Sequence, residues 1–454
     1  MKRRLFALML AAALALTGCG ATGGGGAGGG KSPSLASLAL KEPVYPAFPT
    51  FPQMPENDDW DAYYKEYDAY YQALDELRGE GLDQETIQTA QDFALRTTPL
   101  ALVGQEGKNV IYSPLSLWCA LAMAAQCAQG DSRSQVLDAL GCDGVEELRE
   151  QISQVWRNLY TEDGVSSLLL ANSIWLNDSL AGHYDQETLD VLAEDYYAGT
   201  YSAPMGTETA DLGVSRWIGD QTRGLIGGDT PVVKTDPNTL VLLVSSLYYR
   251  AGWTDEFDPG KTEKDTFTAA DGEENTVDFM HRTTRGNFLM REGYQAARLG
   301  THLGEMVFVL PDEGVSPEAL LQNSAFLGSL DIHGADSFHG KIEWSVPKFD
   351  LESQLDLKEL LKSMGVTDLL DKERADLSAL TDLEAWISGA SQVARVKVDE
   401  EGVEAAAVTI LEAATSAAPS ENPDLCVMDL NRPFLFVIRL RNIPLFVGVV
   451  NQVE

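Results

Sequence analysis

The sequence predicts an α+β protein built around a large sheet, and three observations carry that expectation. The run Leu240 to Tyr249 is apolar without interruption, too continuous for a strand with one face in water. Val396, Lys397, Val398 and Asp399 alternate as a half-buried strand does, and Glu400-Glu401-Gly402 ends or bends that strand. Helical patterns separate such strands, including an acidic aromatic stretch at 58–78 and an apolar segment that starts at Pro114 and ends near Gln129.

At the N-terminus, Lys2, Arg3 and Arg4 precede an apolar run from Leu5 to Leu16, closed by Leu16-Thr17-Gly18-Cys19. The run is short for a membrane span and ends in small residues. It resembles a bacterial lipoprotein signal over 1–18, with cleavage before Cys19 and lipid on the Cys19 thiol. That places the mature chain at the outer face of a membrane. A plain secretory signal or a membrane anchor is the competing reading. Residues 19–57 carry a glycine run and then Pro33, Pro43, Pro46, Pro49, Pro52 and Pro55, a tether composition, flexible first and stiffer later. The formal net charge is -36, and loss of residues 1–18 removes three cations and no anion, leaving -39. Charge of this sign repels nucleic acid and anionic headgroups and favours cationic partners at close approach.

Over 58–82, Trp60, Tyr64, Tyr67 and Tyr71 recur at helical spacing, Tyr63 and Tyr70 widen the stripe, and Leu74 and Leu77 extend it. An extra helix packed on the body explains this, and a binding surface is the alternative. A second helical run follows Gly81 to about Arg96. Ser113 is placed to cap a helix whose first residue is Pro114. Leu168 to Asn177 reads as a central strand. From Ala405 to Ser420 the side chains are mostly small, Glu412 is the only charge, and proline first appears at Pro419. Such a segment suits a loop in one state and a strand in another.

These stretches together resemble the serpins, the serine protease inhibitors. Glu400 to Thr409 is similar to the proximal hinge of their reactive-centre loop, and Asn431 to Arg439 to their C-terminal signature. The matches Asn109 to Ser116, Asn172 to Asn177, Val214 to Ile226, Leu240 to Tyr249 with Trp253 and Phe257, Val307 to Pro311, Val346 to Phe349, Leu361 to Val366 and Ala375 to Ser378 fall in the family's order. The resemblance covers 83–454 and implies a serpin fold: a large central mixed sheet, additional sheets, about nine helices and an exposed loop at 403–424.

The resemblance also implies roles. Glu400, Gly402, Val403, Glu404, Ala405, Ala406, Ala407 and Thr409 form the hinge, and Ser113, Ser116, Ser245, Gln392 and Trp253 lie where the sheet parts. Sixteen residues beyond Glu400, family spacing puts the scissile bond at Ser416-Ala417, flanked by Thr415 and Ala418. A small residue before the bond suits an elastase-like or subtilisin-like pocket. Two departures stand out. Ser245 and Gln392 occupy positions where most serpins have Asn and His, a pair whose side chains join neighbouring strands. Only His titrates, so the exchange removes a possible pH switch and keeps hydrogen-bonding capacity. Val403 replaces a small hydroxyl residue and needs a pocket of its own.

The implied activity is suicide inhibition of an extracellular serine protease in a covalent complex, by a monomer with no cofactor and no catalytic residue of its own. A non-inhibitory surface-binding protein using the stripe at 60–71 is the alternative. Cys119 and Cys127 lie eight apart on one expected helix, roughly 12 Å along its axis, too far to bridge, and read as buried thiols. Spacing leaves a disulfide at Cys142 or Cys426 open. The histidines form no metal-ligand motif, and no nucleotide-binding fingerprint or nucleophile elbow occurs.

Overall fold

The computed structural model describes residues 34–55, 59–180, 182–323, 325–404 and 425–454, within one unit spanning 33–454. Helix α1 (Leu35–Leu38) runs into strand β1 (Ala39–Lys41). Helix α2 (Trp60–Arg78) begins at Asp59, whose carboxylate accepts from the Ala62 amide. Helix α3 (Gln84–Leu102) is capped by Asp83 in the same way. It runs past the expected end at Arg96 and through Pro99, because Ala101 and Leu102 bury its last turn.

Strand β2 (Val110–Tyr112) leads through the Ser113 cap into α4 (Pro114–Cys127), which is apolar all round and almost wholly buried. Helices α5 (Gly130–Leu140) and α6 (Val145–Leu159) cover it. Next come β3 (Thr161–Glu162), β4 (Ser167–Asn177), α7 (Gln186–Glu194), β5 (Ala198–Ala203), α8 (Glu208–Gln221) and β6 (Val241–Gly252). The second half holds β7 (Thr262–Thr268), β8 (Glu274–Arg291), β9 (Tyr294–Thr301), β10 (Gly304–Pro311), α9 (Pro317–Leu321), β11 (Phe338–Pro347), β12 (Phe349–Asp356), α10 (Lys358–Ser363), β13 (Ser391–Val398), β14 (Gly402–Val403), β15 (Leu425–Asp429), β16 (Phe434–Leu440) and β17 (Ile443–Val450).

Two sheets result. The first runs β1-β5-β4-β6-β14-β13-β12 with β3 paired to β4, and it is mixed, since β4 and β5 are parallel while β4 and β6 are antiparallel. The second runs β15-β11-β8-β9-β10-β16-β17-β2 with β7 paired to β8. The large core lies between α4, β16, β17 and one face of the first sheet. On the other face Trp175, Tyr201, Val214 and Trp217 form a smaller cluster with α8. Both faces of β4 are therefore covered, while β6 packs on both clusters yet stays half-buried over Val241–Ser245.

The tether reading of 19–57 needs correction over 34–55. β1 pairs with the edge strand β5, Lys41 pairs with Asp190, and the Val44 amide donates to the Ala193 carbonyl. Tyr45 stacks on Trp156 at 5.0 Å, Phe48 packs on Trp156 and Tyr160, and Phe51 meets Tyr67 and Tyr70. The physical reason is a period of three. Pro43, Pro46, Pro49 and Pro52 alternate with Tyr45, Phe48 and Phe51, and an extended chain with three residues per turn puts those rings on one edge. Proline content suggested only stiffness, whereas the aromatic spacing carries the packing.

Arg439, the last residue of the C-terminal signature, donates to Glu305 at 2.6 Å, with Arg298 and His333 on the other carboxylate oxygen. Burial alone would push the Glu305 carboxyl up; Arg439, Arg298 and His333 outweigh it and hold the carboxyl below the usual range. Its contribution to stability is thus complete above the unfolded value of about 4.3 and is lost as pH falls through the lower folded value. Arg439→Met should cost about 3 kcal/mol at neutral pH by leaving a buried charge short of its partner, and urea denaturation should show the deficit shrinking towards pH 3.

Candidate functional site

β6 and β13 are not paired with each other. The two residues of β14 stand between them, with Gly402 and Val403 opposite Gly252 and Ala251 of β6 and Val403 opposite Val398 of β13. Below β14 the sheet is open, and the opening is a cleft of about 790 Å³ lined by 241–249 of β6, 391–397 of β13 and the preceding residues 388–390. With β14 inserted, β6 and β13 lie about two interstrand spacings apart, roughly 10 Å.

That separation corrects the expected pairing of Ser245 with Gln392, because neither side chain spans it. Ser245 faces the cleft on β6, in register with Asn172 of β4. Gln392 turns instead to Ser113. Its Nε2 donates to the Ser113 carbonyl at 2.9 Å, and its Oε1 accepts from the Ser113 amide at 2.7 Å. The Ser113 side chain accepts from the Ser116 amide and meets the Ser116 hydroxyl at 3.3 Å, so both serines are buried at the floor of the cleft. One strand over, Ser353 of β12 binds the Ile111 amide at 2.8 Å and the Ile111 carbonyl at 3.0 Å. Two neighbouring strands are thus tied to the backbone leading into α4, while β6 is not.

The end of the cleft at β14 is closed by a tight turn. Asp399 accepts from the Glu401 amide, the Asp399 amide donates to the Gly402 carbonyl, and Trp253 Nε1 donates to the Asp399 carbonyl at 2.9 Å. The Trp253 and Phe257 amides donate to Glu401 and Glu400 carbonyls. Glu400 pairs with Lys348 at 2.7 Å and accepts from Thr262. Burial opposes its ionisation, but Lys348 and Thr262 outweigh that and hold the carboxyl below its usual range. At Gly402 a Cβ would lie 2.4 Å from the Ala251 carbonyl oxygen, which requires glycine there. Val403 is fully enclosed in the core beside Val398 and Ala251, which supplies the pocket its branched side chain needs.

Glu404 is the last described residue before the loop. It has φ of +41°, in the left-handed region, and accepts a hydrogen bond from Tyr248 at 2.9 Å. Burial first, and then this carboxylate, push the Tyr248 phenol up to about 12. The strand direction set by Gly402 and Val403 therefore breaks at Glu404, a hinge residue whose left-handed backbone no local sequence signal foretells. Ala405, Ala406, Ala407, Thr409, Thr415, Ser416, Ala417 and Ala418 lie outside the described residues, as does Cys19.

Cys119, Cys127, Cys142 and Cys426 are free buried thiols, each pushed up to about 12 by burial. This resolves the open pairing of Cys142 and Cys426. Among the described residues no group of three or more His, Cys, Asp or Glu could hold a metal, and no helix is long and apolar enough to cross a membrane.

An open sheet with a two-residue hinge at one end and a serine floor defines a class, and comparison with known proteins names it. The serpin (serine protease inhibitor) family profile matches residues 88–453, and the chain belongs to that family. Serpin-Z2B of Triticum aestivum is 30% identical over 76% of this chain and 90% of its own length. Serpin-ZXA of Oryza sativa subsp. japonica is 29% identical over 79% of this chain and 95% of its own. Among solved structures, the thermophilic serpin tengpin in the native state superposes with a TM-score of 0.72 at 26% identity, covering 82% of this chain and 95% of that one. Serpins are non-catalytic inhibitors, and the shared fold supports a protease-inhibitory mechanism for this chain.

Gln392→Leu should leave the buried Ser113 amide and carbonyl without their side-chain partner and cost about 1–3 kcal/mol, read by urea denaturation.

Proposed function

We propose that this chain is an irreversible suicide inhibitor of extracellular serine proteases of the elastase-like or subtilisin-like kind. The observation that carries the reading is the strand-wide cleft beneath β14. Continuing the register that sets Val403 opposite Ala251 and Val398, an inserted loop would bring Thr409 between Ser245 and Gln392. Leu411 would come between Leu243 and Ala390, beside the large core. On the other face Val408 would lie between Ser246 and Val393, on the side of the smaller cluster. Small side chains fall where β6 and β13 are closest to the hinge, and a hydroxyl falls on the polar floor.

In this mechanism the protease serine attacks the Ser416 carbonyl, the Ser416-Ala417 amide breaks, the Ala417 amine leaves with a proton from the protease, and an ester joins Ser416 to the enzyme. The freed loop then inserts, gaining ladder hydrogen bonds on both sides, and carries the acylated protease with it before water can cleave the ester. The opposing outcome is ordinary hydrolysis, decided by which step is faster. The Leu16-to-Cys19 pattern supports lipid on Cys19 and a place at a bacterial cell surface.

The mature chain incubated with pancreatic elastase or subtilisin should give a complex that survives denaturing gels and release a C-terminal fragment beginning at Ala417 by intact mass. Thr409→Arg, which puts a long charged side chain at the floor, should turn the same protein into a cleaved substrate without complex. Clean cleavage of the parent, with no complex and no rise in thermal stability, would sink the reading. For the anchor, Cys19→Ser should move the protein from the detergent-extracted membrane fraction to the medium.

A further inference from the structure

Helix α2 carries its aromatic rings on one stripe. Leu74 is buried, and Tyr67 and Tyr70 are held by Phe51. The outer edge of that stripe presents Trp60 at 45%, Tyr64 at 58% and Tyr71 at 42% exposure, an unusual load of ring surface facing water. The rings are ordered against one another, with Trp60 against Tyr64, Tyr67 against Tyr71 at 4.7 Å, and the Tyr67 hydroxyl donating to that of Tyr71. Seven carboxylates lie between residues 59 and 80 (Asp59, Asp61, Glu66, Asp68, Asp75, Glu76 and Glu80), against two cations, Lys65 and Arg78.

Rings interleaved with carboxylates select guanidinium and ammonium groups, which stack on the rings and pair with the acids. The chain itself has little to offer such a face. Residues 20–33 contain one cation, Lys31, and 405–424 contain none. A second copy brings the same net charge of -36 and is repelled.

The helix also lies towards the reactive end of the body. Phe51 touches Tyr67 and Tyr70 of α2, and Phe48, three residues earlier, touches Tyr160, the residue that precedes β3. Glu162 in β3 pairs with Arg223, Ser167 at the start of β4 is opposite Arg250, and the next residue of β6, Ala251, is opposite Val403. One end of the first sheet therefore joins α2 to the hinge.

We propose that the exposed aromatic and acidic edge of α2 is a docking surface for an arginine- and lysine-rich face of the protease that attacks the loop. The identity of the partner rests on the inhibitory reading above. The surface recruits the protease before the loop is attacked, so it acts on encounter and affinity and not on the fate of the acyl-enzyme.

The test uses the mature chain and a basic pancreatic elastase whose active-site serine has been blocked with a sulfonyl fluoride, with affinity measured by surface plasmon resonance at about 0.05 M and 0.5 M salt. The parent should bind more weakly at high salt. The triple variant Trp60→Ala, Tyr64→Ala, Tyr71→Ala should lose roughly tenfold or more in affinity, and Asp61→Asn, Asp68→Asn, Asp75→Asn, which flank the same edge, should flatten the salt dependence. All six positions are exposed, and unchanged thermal unfolding checks the fold of each variant. Unchanged affinity in the ring variant, or no binding by the parent, overturns the proposal. Self-association of the parent that the ring variant abolishes, without elastase binding, also overturns it and assigns the edge to a second copy. Covalent complex formation with active elastase is scored separately. Binding without complex would defeat the inhibitory reading and leave the surface standing, and complex formation at equal rates in parent and variant would do the reverse.

Discussion

The first sheet is held open by two residues. A Cβ on Gly402 would lie 2.4 Å from the Ala251 carbonyl oxygen, and Val403 fills the space between Ala251 and Val398. With β14 lodged there, β6 and β13 are not paired with each other, and their facing edges border a cleft of about 790 Å³. Unpaired strand edges are a template for another strand. Every functional feature of the molecule is placed relative to that opening: the loop that leaves at Glu404, the serine floor and the turn that closes the hinge end.

The two ends of the cleft are secured by different means. At the hinge, the bonds from Trp253, Phe257, Lys348 and Thr262 to residues 399–401 bind the turn to the body through backbone and side chain together. At the floor, Gln392 and Ser353 bind the backbone of Ser113 and Ile111, anchoring β13 and β12 to the segment that enters α4. β6 has no such tie to that segment and belongs with β4 on the other side. The sheet thus divides into two halves across the cleft, each with its own attachments, an arrangement that allows relative movement without breaking either half.

The N-terminal segment shows how composition can mislead. A proline every third residue reads as stiff tether, yet the same spacing places Tyr45, Phe48 and Phe51 on one edge, where they meet Trp156, Tyr160, Tyr67 and Tyr70. β1 then covers β5, an edge strand that would otherwise be open to pairing. Together they hold α2 against α6 and leave its outer rings in water.

Local chemistry was enough to reveal much of this protein. The apolar continuity of 240–249 announced a strand, though one only half-buried where it borders the cleft, Ser113 and Pro114 announced the start of α4, and Glu400-Glu401-Gly402 announced the turn after β13, since each depends on residues adjacent in the chain. The partner of Gln392 was not legible, because the choice between Ser245 and Ser113 depends on the strand-wide separation that β14 imposes on segments far apart in sequence. The left-handed turn at Glu404 and its bond to Tyr248 were hidden for the same reason. Sequence determined which segments become strands, caps and turns; only the tertiary structure decided which strands stay apart, because that rests on a close approach at Gly402 between residues some 150 positions apart in the chain.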